Sequence, residues 1–446
     1  MQNSKGKLLL FLIGLGSQTQ FHFIGSLGIS EFPIFIFAPF IFLMDYRKLK
    51  DDGFMPFIWM SLLSCLGCLI SSSVNFTPPI FLIKAFALPY SIFAMAVVMH
   101  RLLRYNLRGL KWYVVGTFLS GIISIFIFQQ EVYLSRAGYV ASGAEATALV
   151  VGNPLFWASK IKGLIMLPVS AFYLSVPMGY SISATFAGVL VSLFGSGTSG
   201  RAAAMTSFLA FGLVAIGKKS RIKMRNMGRH IGMFILVGFI ALLGFKAVYS
   251  WAAKSGFMGY EAQQKYLYQT RTGTSALKML MAGRMEFFCG LIACLDRPIL
   301  GFGPLQEDTN GYVERYLRDY AAPEDYEKYI TWVHETAARG EVFRRIPAHS
   351  YITCFWINNG ILGLLLWLYV LVLFYKFFKR YAHAVPQWYG YICIGISNQI
   401  WDIFFSPYGG RVSVPVLICA ILFCKAIAEG RLRLPIDMEM EARRYE

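Results

Sequence analysis

The segment YITCFWINNGILGLLLWLYVLVLF, residues 351–374, decides the fold class, because it contains no charged side chain. A helix of this length rises about 36 Å, which exceeds the roughly 30 Å of a bilayer's hydrocarbon core. Segments of similar character recur along the 446-residue chain, which is 56% hydrophobic and 15% charged. Soluble domains contain roughly a quarter charged residues. The chain is therefore predicted to be an all-α, polytopic membrane protein.

Outward from this segment, about twelve membrane-spanning helices are predicted from runs of apolar residues. The apolar stretch after Lys7 leads to no Ala-x-Ala-like cleavage site, so it is predicted to be the first span rather than a cleaved signal peptide. The predicted spans are 7–24, 31–45, 54–73, 78–99, 112–129, 159–177, 179–196, 201–217, 231–252, 351–375, 386–404 and 411–428.

The net charge of +18 is concentrated in alternate links between these spans. Such a bias marks the cytoplasmic side of a membrane protein and attracts anionic lipid head groups. It therefore indicates topology rather than a nucleic-acid partner, and it predicts that both termini are cytoplasmic. The cationic segments are 46–52, 100–111, 218–230, 376–380 and the C-terminal tail.

The longest polar stretch, 254–349, carries equal numbers of acidic and basic residues and is predicted to lie outside the cytoplasmic membrane. Three regions follow: 1–252 with spans one to nine, 253–350 as a large external loop, and 351–446 with the last three spans and a cytoplasmic tail. Within the loop, 275–300 predicts an amphipathic helix ended by Arg297-Pro298. Segment 307–340 predicts one or two short helices, interpreted as a lid or an acceptor platform.

Four ionisable residues lie at the outer ends of spans or in apolar parts of the loop: Arg201, Arg284, His349 and Arg411. Guanidinium groups bind phosphate oxygens in pairs, and the Gly/Ser-rich turn before Arg201 favours an anion at the helix start that follows. A histidine can accept a proton from a hydroxyl nucleophile. The arginines therefore suit the binding of a pyrophosphate leaving group, and the histidine suits the activation of an acceptor hydroxyl. The alternatives are interfacial arginine anchors and a histidine that caps the span beginning at 351.

Metal chemistry is not predicted. Cys65 and Cys68 have a zinc-like spacing, but they lie within a span without a second pair or a nearby histidine. We interpret them as small packing residues. Cys289 and Cys294 are five positions apart on the predicted loop helix and face different sides, so no disulfide is expected there.

Three sequence pieces resemble the superfamily of O-antigen ligases and O-antigen polymerases, which are bacterial membrane glycosyltransferases. The first is SGTSGRAA (196–203), in which a Ser/Gly-rich turn leads to Arg201. The second is Gly283-Arg284, an apolar helix and then PILGFG (298–303). The third is Ala348-His349-Ser350, followed after nine residues by GILG (360–363). The family more commonly has Asn where this chain has Ser350.

The resemblance implies a GT-C-like enzyme of the bacterial inner membrane with its active site on the periplasmic face. It implies inverting glycan transfer from an undecaprenyl-pyrophosphate donor to a sugar hydroxyl, on a glycan or a lipid A-core acceptor, without metal or other cofactor. Arg201 and Arg284 would bind the pyrophosphate and His349 would be the base. Arg411 has no motif and is only an additional phosphate contact. A chain-length regulator is a further candidate partner.

Two function classes remain open. A polymerase and a ligase differ in acceptor, which no motif specifies. A lipid-linked glycan flippase, or another transporter, also has many spans and cytoplasmic termini. A transporter of this kind is expected to show similar halves and ionisable groups at mid-membrane. Here the two halves are dissimilar and the candidate charges lie on one side, which favours the transferase.

Overall fold

The computed structural model describes residues 2–17, 20–22, 26–126, 284–304, 306–338, 345–406 and 412–435, with isolated positions between 209 and 281. These residues are mostly helical, and helices are numbered here within the described part of the chain. They are α1 Gln2–Leu15, α2 Glu31–Asp51, α3 Met55–Val74, α4 Pro79–Arg104, α5 Leu110–Phe126, α6 Met285–Asp296, α7 Tyr312–Tyr320, α8 Pro323–Ala338, α9 Tyr351–Lys376, α10 Tyr389–Phe405 and α11 Ser413–Ala428.

Three of these helices are long and apolar enough to cross a membrane: α3, α4, and α9 with the π-turn that extends it to Tyr381. The chain is thus a helical membrane protein. Helices α2 to α5 and α9 to α11 coincide with predicted spans to within a few residues, except that α2 and α4 continue into the cationic links. The predicted spans 159–177 and 179–196 lie outside the described residues, and 201–217 and 231–252 are described only at isolated positions.

The first predicted span, 7–24, is wrong in its second half. Helix α1 ends at Leu15, and a two-stranded antiparallel hairpin follows, with β1 at Gln20–His22 and β2 at Ser26–Gly28. Ser17 explains the stop, because both its N–H and its hydroxyl donate to the Gly14 carbonyl and close a turn. Apart from this short hairpin the described residues are mostly helical, which agrees with the expected all-α class.

Close helix pairs in the core meet at glycines, which allow backbones to approach one another. A Cβ at Gly14 of α1 would collide with the Tyr113 carbonyl of α5, and a Cβ at Gly67 of α3 with the Asn359 carbonyl of α9. At the second crossing the Asn359 side-chain amide donates to the Ser64 hydroxyl at 2.8 Å, within the buried core. Helices α3 and α9 are therefore tied together near the middle of α9.

Helix α9 is interrupted at Gly360, whose backbone angles (φ 62°, ψ −154°) lie outside the helical region. Such angles are readily adopted only by glycine. An interruption releases N–H and C=O groups that must find other partners inside a membrane. Here Ile361 donates its N–H to the Ile299 carbonyl of the loop at 2.9 Å.

The loop also supplies hydrogen-bond donors to the Ile357 carbonyl, which lies before the interruption. Phe302 and Gly303 both donate N–H groups to the Ile357 carbonyl, at 2.8 and 3.1 Å. The indole of Trp356 donates to the Pro298 carbonyl at 2.7 Å. The segment 298–303 thus completes the hydrogen bonding of a broken membrane helix.

The C-terminal ends of α2 and α4 are joined by a largely buried polar cluster. Asp52 accepts hydrogen bonds from Arg104 Nε at 2.6 Å and contacts His100 Nε2 at 2.7 Å. The His100 ring is fully buried and stacks on Phe423 of α11. This cluster connects three helices at the end of the bundle that is remote from the loop.

Candidate functional site

Helix α6 carries the loop's candidate arginine and forms where the sequence predicts an amphipathic helix. One face is buried, through Cys289, Gly290, Ala293 and Cys294. The helix ends at Asp296, just before Arg297-Pro298, as a following proline requires. Because 298–303 then docks on α9, both α6 and its exit are held against the membrane helices.

A second attachment joins the loop to the turn between α3 and α4. Arg297 donates from Nη1 to the Asn75 side-chain oxygen at 3.1 Å, and its guanidinium lies 4.8 Å from the centre of the Phe302 ring. Gln306 donates to the Thr77 hydroxyl at 3.2 Å. Arg297 therefore fixes the loop on the turn and, in this structure, serves as a structural contact.

Arg284 is the N-cap residue of α6 and lies against the end of α10. Its Nη1 donates to the Phe405 carbonyl at 3.2 Å, and Phe405 is the last residue of that helix. The guanidinium lies 5.0 Å from the centre of the Trp401 ring and 5.8 Å from that of Phe405. A cation at this position is stabilised by the helix dipole at the C-terminus of α10 and by cation–π interaction with the rings. The half-buried guanidinium is therefore oriented by its surroundings.

His349 is exposed and lies immediately before α9. It does not cap the helix, because Ser350 does: the Ser350 hydroxyl accepts the Thr353 N–H at 3.0 Å. The interpretation of His349 as a capping residue is therefore wrong. Serine is among the residues most favoured at an N-cap, so the start of α9 is well capped.

The segment before His349 packs on the same helix that begins at Arg284. A Cβ at Gly290 of α6 would lie 2.5 Å from the Pro347 carbonyl and 3.2 Å from Thr353 Cβ. Only a residue without a side chain allows this approach. Gly290 is six residues from Arg284, a rise of about 9 Å along α6. Helix α6 thus begins at Arg284 and also contacts the chain two residues before His349.

The polar middle of the loop forms two short helices, as predicted: α7 Tyr312–Tyr320 and α8 Pro323–Ala338. The carboxylate of Asp308 begins α7 by accepting the N–H groups of Tyr312 and Val313 at 2.7 and 2.9 Å. The Tyr312 hydroxyl donates to Asp296 at 2.6 Å, and burial together with this bond raises the pKa of Tyr312 to about 12. Helix α7 is therefore joined to the C-terminal end of α6.

Two of the four candidate residues are described, and two are not. Arg284 begins α6 and His349 lies two residues before α9, whereas Arg201 and Arg411 lie outside the described residues. Arg411 follows α10 by six positions and directly precedes Val412, the N-cap residue of α11. The end of α10 that contacts Arg284 is thus the end from which the chain continues to Arg411.

Sequence reasoning missed three residues that support these two. It assigned no role to Trp401 or Phe405, because an aromatic residue near the end of a span is common. Gly290 did carry a signal, since a glycine inside an apolar helix often marks a close backbone approach. All three act by holding Arg284 or the chain before His349 in place.

The arrangement favours an anion near the start of α6. The N-terminal end of a helix carries partial positive charge and free N–H groups, and Arg284 adds a full charge at the same place. Glu286 in the first turn offsets part of this field. An exposed histidine on the neighbouring segment adds a group that can accept a proton. Among the described residues, no group of three or more His, Cys, Asp or Glu side chains could hold a metal ion.

Comparisons of the chain with models of protein families, with curated proteins and with solved structures found no match.

Proposed function

We propose that the protein transfers a glycan from an undecaprenyl-pyrophosphate donor to a sugar hydroxyl, as an O-antigen, capsule or exopolysaccharide polymerase or as an O-antigen ligase. The observation that carries the proposal is that Arg284 begins helix α6 and that the chain just before His349 packs on the same helix. Arg284 is oriented by the end of α10, and the chain before His349 packs directly on α6 at Gly290. A guanidinium and an imidazole are suited to a pyrophosphate and an acceptor hydroxyl.

In the proposed reaction His349 accepts the proton of the acceptor hydroxyl, whose oxygen attacks the anomeric carbon of the donor glycan. The bond between that carbon and the pyrophosphate oxygen breaks, and undecaprenyl pyrophosphate leaves with the electron pair. Arg284 and Arg201 neutralise the charge that develops on the leaving group. Attack opposite the leaving group inverts the anomeric configuration. Arg411 is an additional phosphate contact.

The proposal places the reaction at the periplasmic face of a bacterial inner membrane. It assumes about twelve spans in a GT-C-like arrangement, with 1–252 and 351–446 in the membrane and its cytoplasmic links, and 253–350 outside. The partners are then the lipid-linked donor, a glycan or lipid A-core acceptor, the bilayer itself and, for a polymerase, a chain-length regulator.

A lipid-linked glycan flippase is the second candidate, since it would handle the same donor. Transport is expected to use ionisable groups along a central cavity. Within the described part of the chain, the buried acidic side chains lie at or near helix ends or in the loop: Glu31, Asp45, Asp52 and Asp308. This distribution supports the transferase over the flippase.

The test uses the purified full-length protein and lipid-linked repeat units as the sole substrate. Wild-type protein should lengthen the glycans if it is a polymerase, and should need added lipid A-core if it is a ligase. Arg284→Lys should lower transfer by about 10- to 100-fold, because a point charge cannot form two parallel bonds to phosphate. His349→Ala should lower it by about 100-fold or more.

Matched controls are available after α9, outside the loop. His383→Ala removes an exposed histidine, and Arg380→Ala removes an exposed arginine. Both should retain near-normal transfer. Full activity in the Arg284 and His349 variants would exclude the proposed site. Glycan translocation into proteoliposomes without any new glycosidic bond would instead establish the flippase.

A further inference from the structure

An apolar groove of about 760 Å³ lies between α1, α2, α4 and α5. Its lining includes exposed leucine and isoleucine side chains, among them Leu12 and Ile29, and a single charged residue, Arg101. Drug-sized sites in proteins have volumes of roughly 300–1,000 Å³. The groove is therefore large enough for an extended hydrocarbon chain.

The groove is about as long as one extended acyl chain. Its lining on α2 extends from Pro33 to Ile41, and Ile29 and Ser30 continue it before that helix. From Ile29 to Ile41 the chain rises about 18 Å, slightly more than half of the roughly 30 Å hydrocarbon core. An acyl chain of a phospholipid reaches across about half of that core, so one extended chain is long enough to fill the groove.

The two ends of the groove differ in charge. At one end Arg101 donates from Nη1 to Asp45 at 3.2 Å, and its side chain is 42% exposed. Lys5 adds a second exposed cation there, because it lies one turn before the lining residue Leu9 on the same face of α1. At the other end the charged residue next to the lining is the buried Glu31. The electrostatic field therefore favours an anionic group at the Arg101 end only.

We infer that this groove binds an anionic phospholipid, with an acyl chain in the groove and its phosphate beside Arg101 and Lys5. Asp45 accepts a hydrogen bond from Arg101 Nη1, and this contact orients the whole guanidinium. The remaining charge of Asp45 is matched by Lys48, at 2.9 Å. The site lies at the far end of α4 from the loop and does not depend on the proposed glycan transfer.

The experiment measures lipid bound to the purified full-length protein by native mass spectrometry. Phosphatidylglycerol is compared with phosphatidylcholine of the same acyl chains. Wild-type protein should retain one phosphatidylglycerol in preference to phosphatidylcholine. The double variant Lys5→Gln/Arg101→Gln should weaken phosphatidylglycerol binding about 25-fold, since one basic side chain near an anionic lipid contributes about fivefold in affinity. Its preference over phosphatidylcholine should disappear.

A second variant tests the groove itself. Leu12→Trp places a large ring among the lining residues and should reduce retention of phosphatidylglycerol. Leu43→Trp is the matched control, because Leu43 is 74% exposed on α2 and does not line the groove. Arg108→Gln is the charge control, since it removes an exposed cation outside the lining. Neither control should change binding, and soluble glycerol phosphate should not compete.

Equal binding of the two lipids by wild-type protein would overturn the inference, because it would indicate ordinary boundary lipid. Unchanged phosphatidylglycerol binding in the double variant or in Leu12→Trp would overturn it as well. If Leu12→Trp fails to fold, Ile29→Trp tests the opposite end of the same groove. These experiments measure lipid binding and not glycan transfer, so their outcome is independent of the proposed function.

Discussion

Arg284 shows how a full charge is held in an apolar part of the molecule. Its guanidinium donates to a carbonyl at the end of α10 and lies over Trp401 and Phe405. Terminal carbonyls lack partners within their own helix, so a cationic donor satisfies one of them and interacts favourably with the helix dipole. The planar guanidinium can contact rings on its faces while its edges remain hydrogen-bond donors. Lysine is also a cationic donor, but it has no planar face to lie over the rings.

Asp52 is the residue from which a pH dependence of stability is expected. Burial by itself raises the pKa of this carboxyl, but the hydrogen bonds with His100 and Arg104 outweigh burial and hold the pKa below its ordinary value. A lowered pKa means that the ionised carboxylate is favoured in the folded state. Its contribution to stability is therefore full above the ordinary carboxyl pKa of about 4 and is lost as pH falls through the lowered value.

We predict that Asp52→Asn lowers the free energy of unfolding at pH 7 by about 2 to 3 kcal/mol, because it leaves His100 and Arg104 without their carboxylate. Thermal unfolding in detergent measures the loss. The difference between wild type and variant should shrink as pH falls below about 4, since wild-type Asp52 is then also becoming neutral. A difference that stays constant down to pH 3 would show that the charge of Asp52 contributes nothing.

At the scale of elements, the interruption of α9 is stabilised by a segment that is distant in sequence. Gly360 and Gly301 have φ angles of 62° and 68°, and each would place a Cβ against the other segment's backbone. The hydrogen bonds of Ile357 and Ile361 then run to the loop instead of along the helix. The motif pieces PILGFG and GILG are thus two halves of one contact. This explains why both are glycine-rich.

We predict that Gly360→Ala lowers the free energy of unfolding by about 3 kcal/mol or more, because it combines a strained backbone with a collision against the Ile299 carbonyl. Hydrogen exchange should then increase selectively at Phe302 and Ile361. Gly430→Ala is the matched control: Gly430 has a φ of 69° but no atom within 4 Å of an added Cβ. It should cost about 1 kcal/mol. Equal losses in both variants would refute the role of the contact.

Helix α6 provides a second element-scale prediction. Gly290→Ala should reduce glycan transfer by about tenfold or more, because the added methyl would push Pro347, and with it His349, away from α6. Alanine favours helix formation, so the helix itself should not be weakened. Gly6→Ala is the control, since its added Cβ would meet only a side-chain nitrogen at 3.9 Å. Normal transfer in Gly290→Ala would show that this contact does not position the histidine.

At the scale of the whole molecule, α6 and its neighbours are attached to the membrane helices in three places. Arg284 contacts the end of α10, segment 298–303 completes α9, and Arg297 with Gln306 contacts the turn between α3 and α4. Attachments to three separate parts of the bundle restrict both translation and rotation of the loop. A site built on such a support keeps its geometry better than one on an unsupported loop.

The predicted topology can be tested by labelling intact cells with a membrane-impermeant maleimide. Lys328→Cys on α8 should react from outside, whereas Arg108→Cys should react only after the membrane is opened. All eight native cysteines are free and seven are buried, so background labelling should be low. In the loop, burial and the nearby Asp308 and Glu286 raise the pKa of Cys289 to about 12, which keeps its thiol protonated and unreactive. The reverse labelling pattern would refute the predicted orientation.

Most of the helix positions in the described chain could be predicted, because apolar length is a local property. The predicted span 351–375 agrees with α9 Tyr351–Lys376, and the predicted loop helices agree with α6, α7 and α8. The hairpin after α1 could not be predicted, since its apolar residues continue the hydrophobic run. Arg284 and His349 were predictable as candidates from their apolar surroundings. Trp401 and Phe405 were not predicted as support for Arg284, because they are more than a hundred residues away from it and are common types at span ends. Gly290 is close to Arg284 in sequence, but its partner Pro347 is distant and could not be predicted.

The sequence by itself determined that the chain is a helical membrane protein, where most of the described helices begin and end, and which charges stand at their ends. These properties depend on hydropathy, charge and capping over a few neighbouring residues. Only the tertiary structure decided that Arg284 contacts Phe405, 121 residues away, and that Gly360 pairs with the loop at Ile299. Contacts of this kind depend on which distant backbones pack closely enough to meet. Local patterns therefore identify the helices and the candidate residues, and packing selects the partners that orient them.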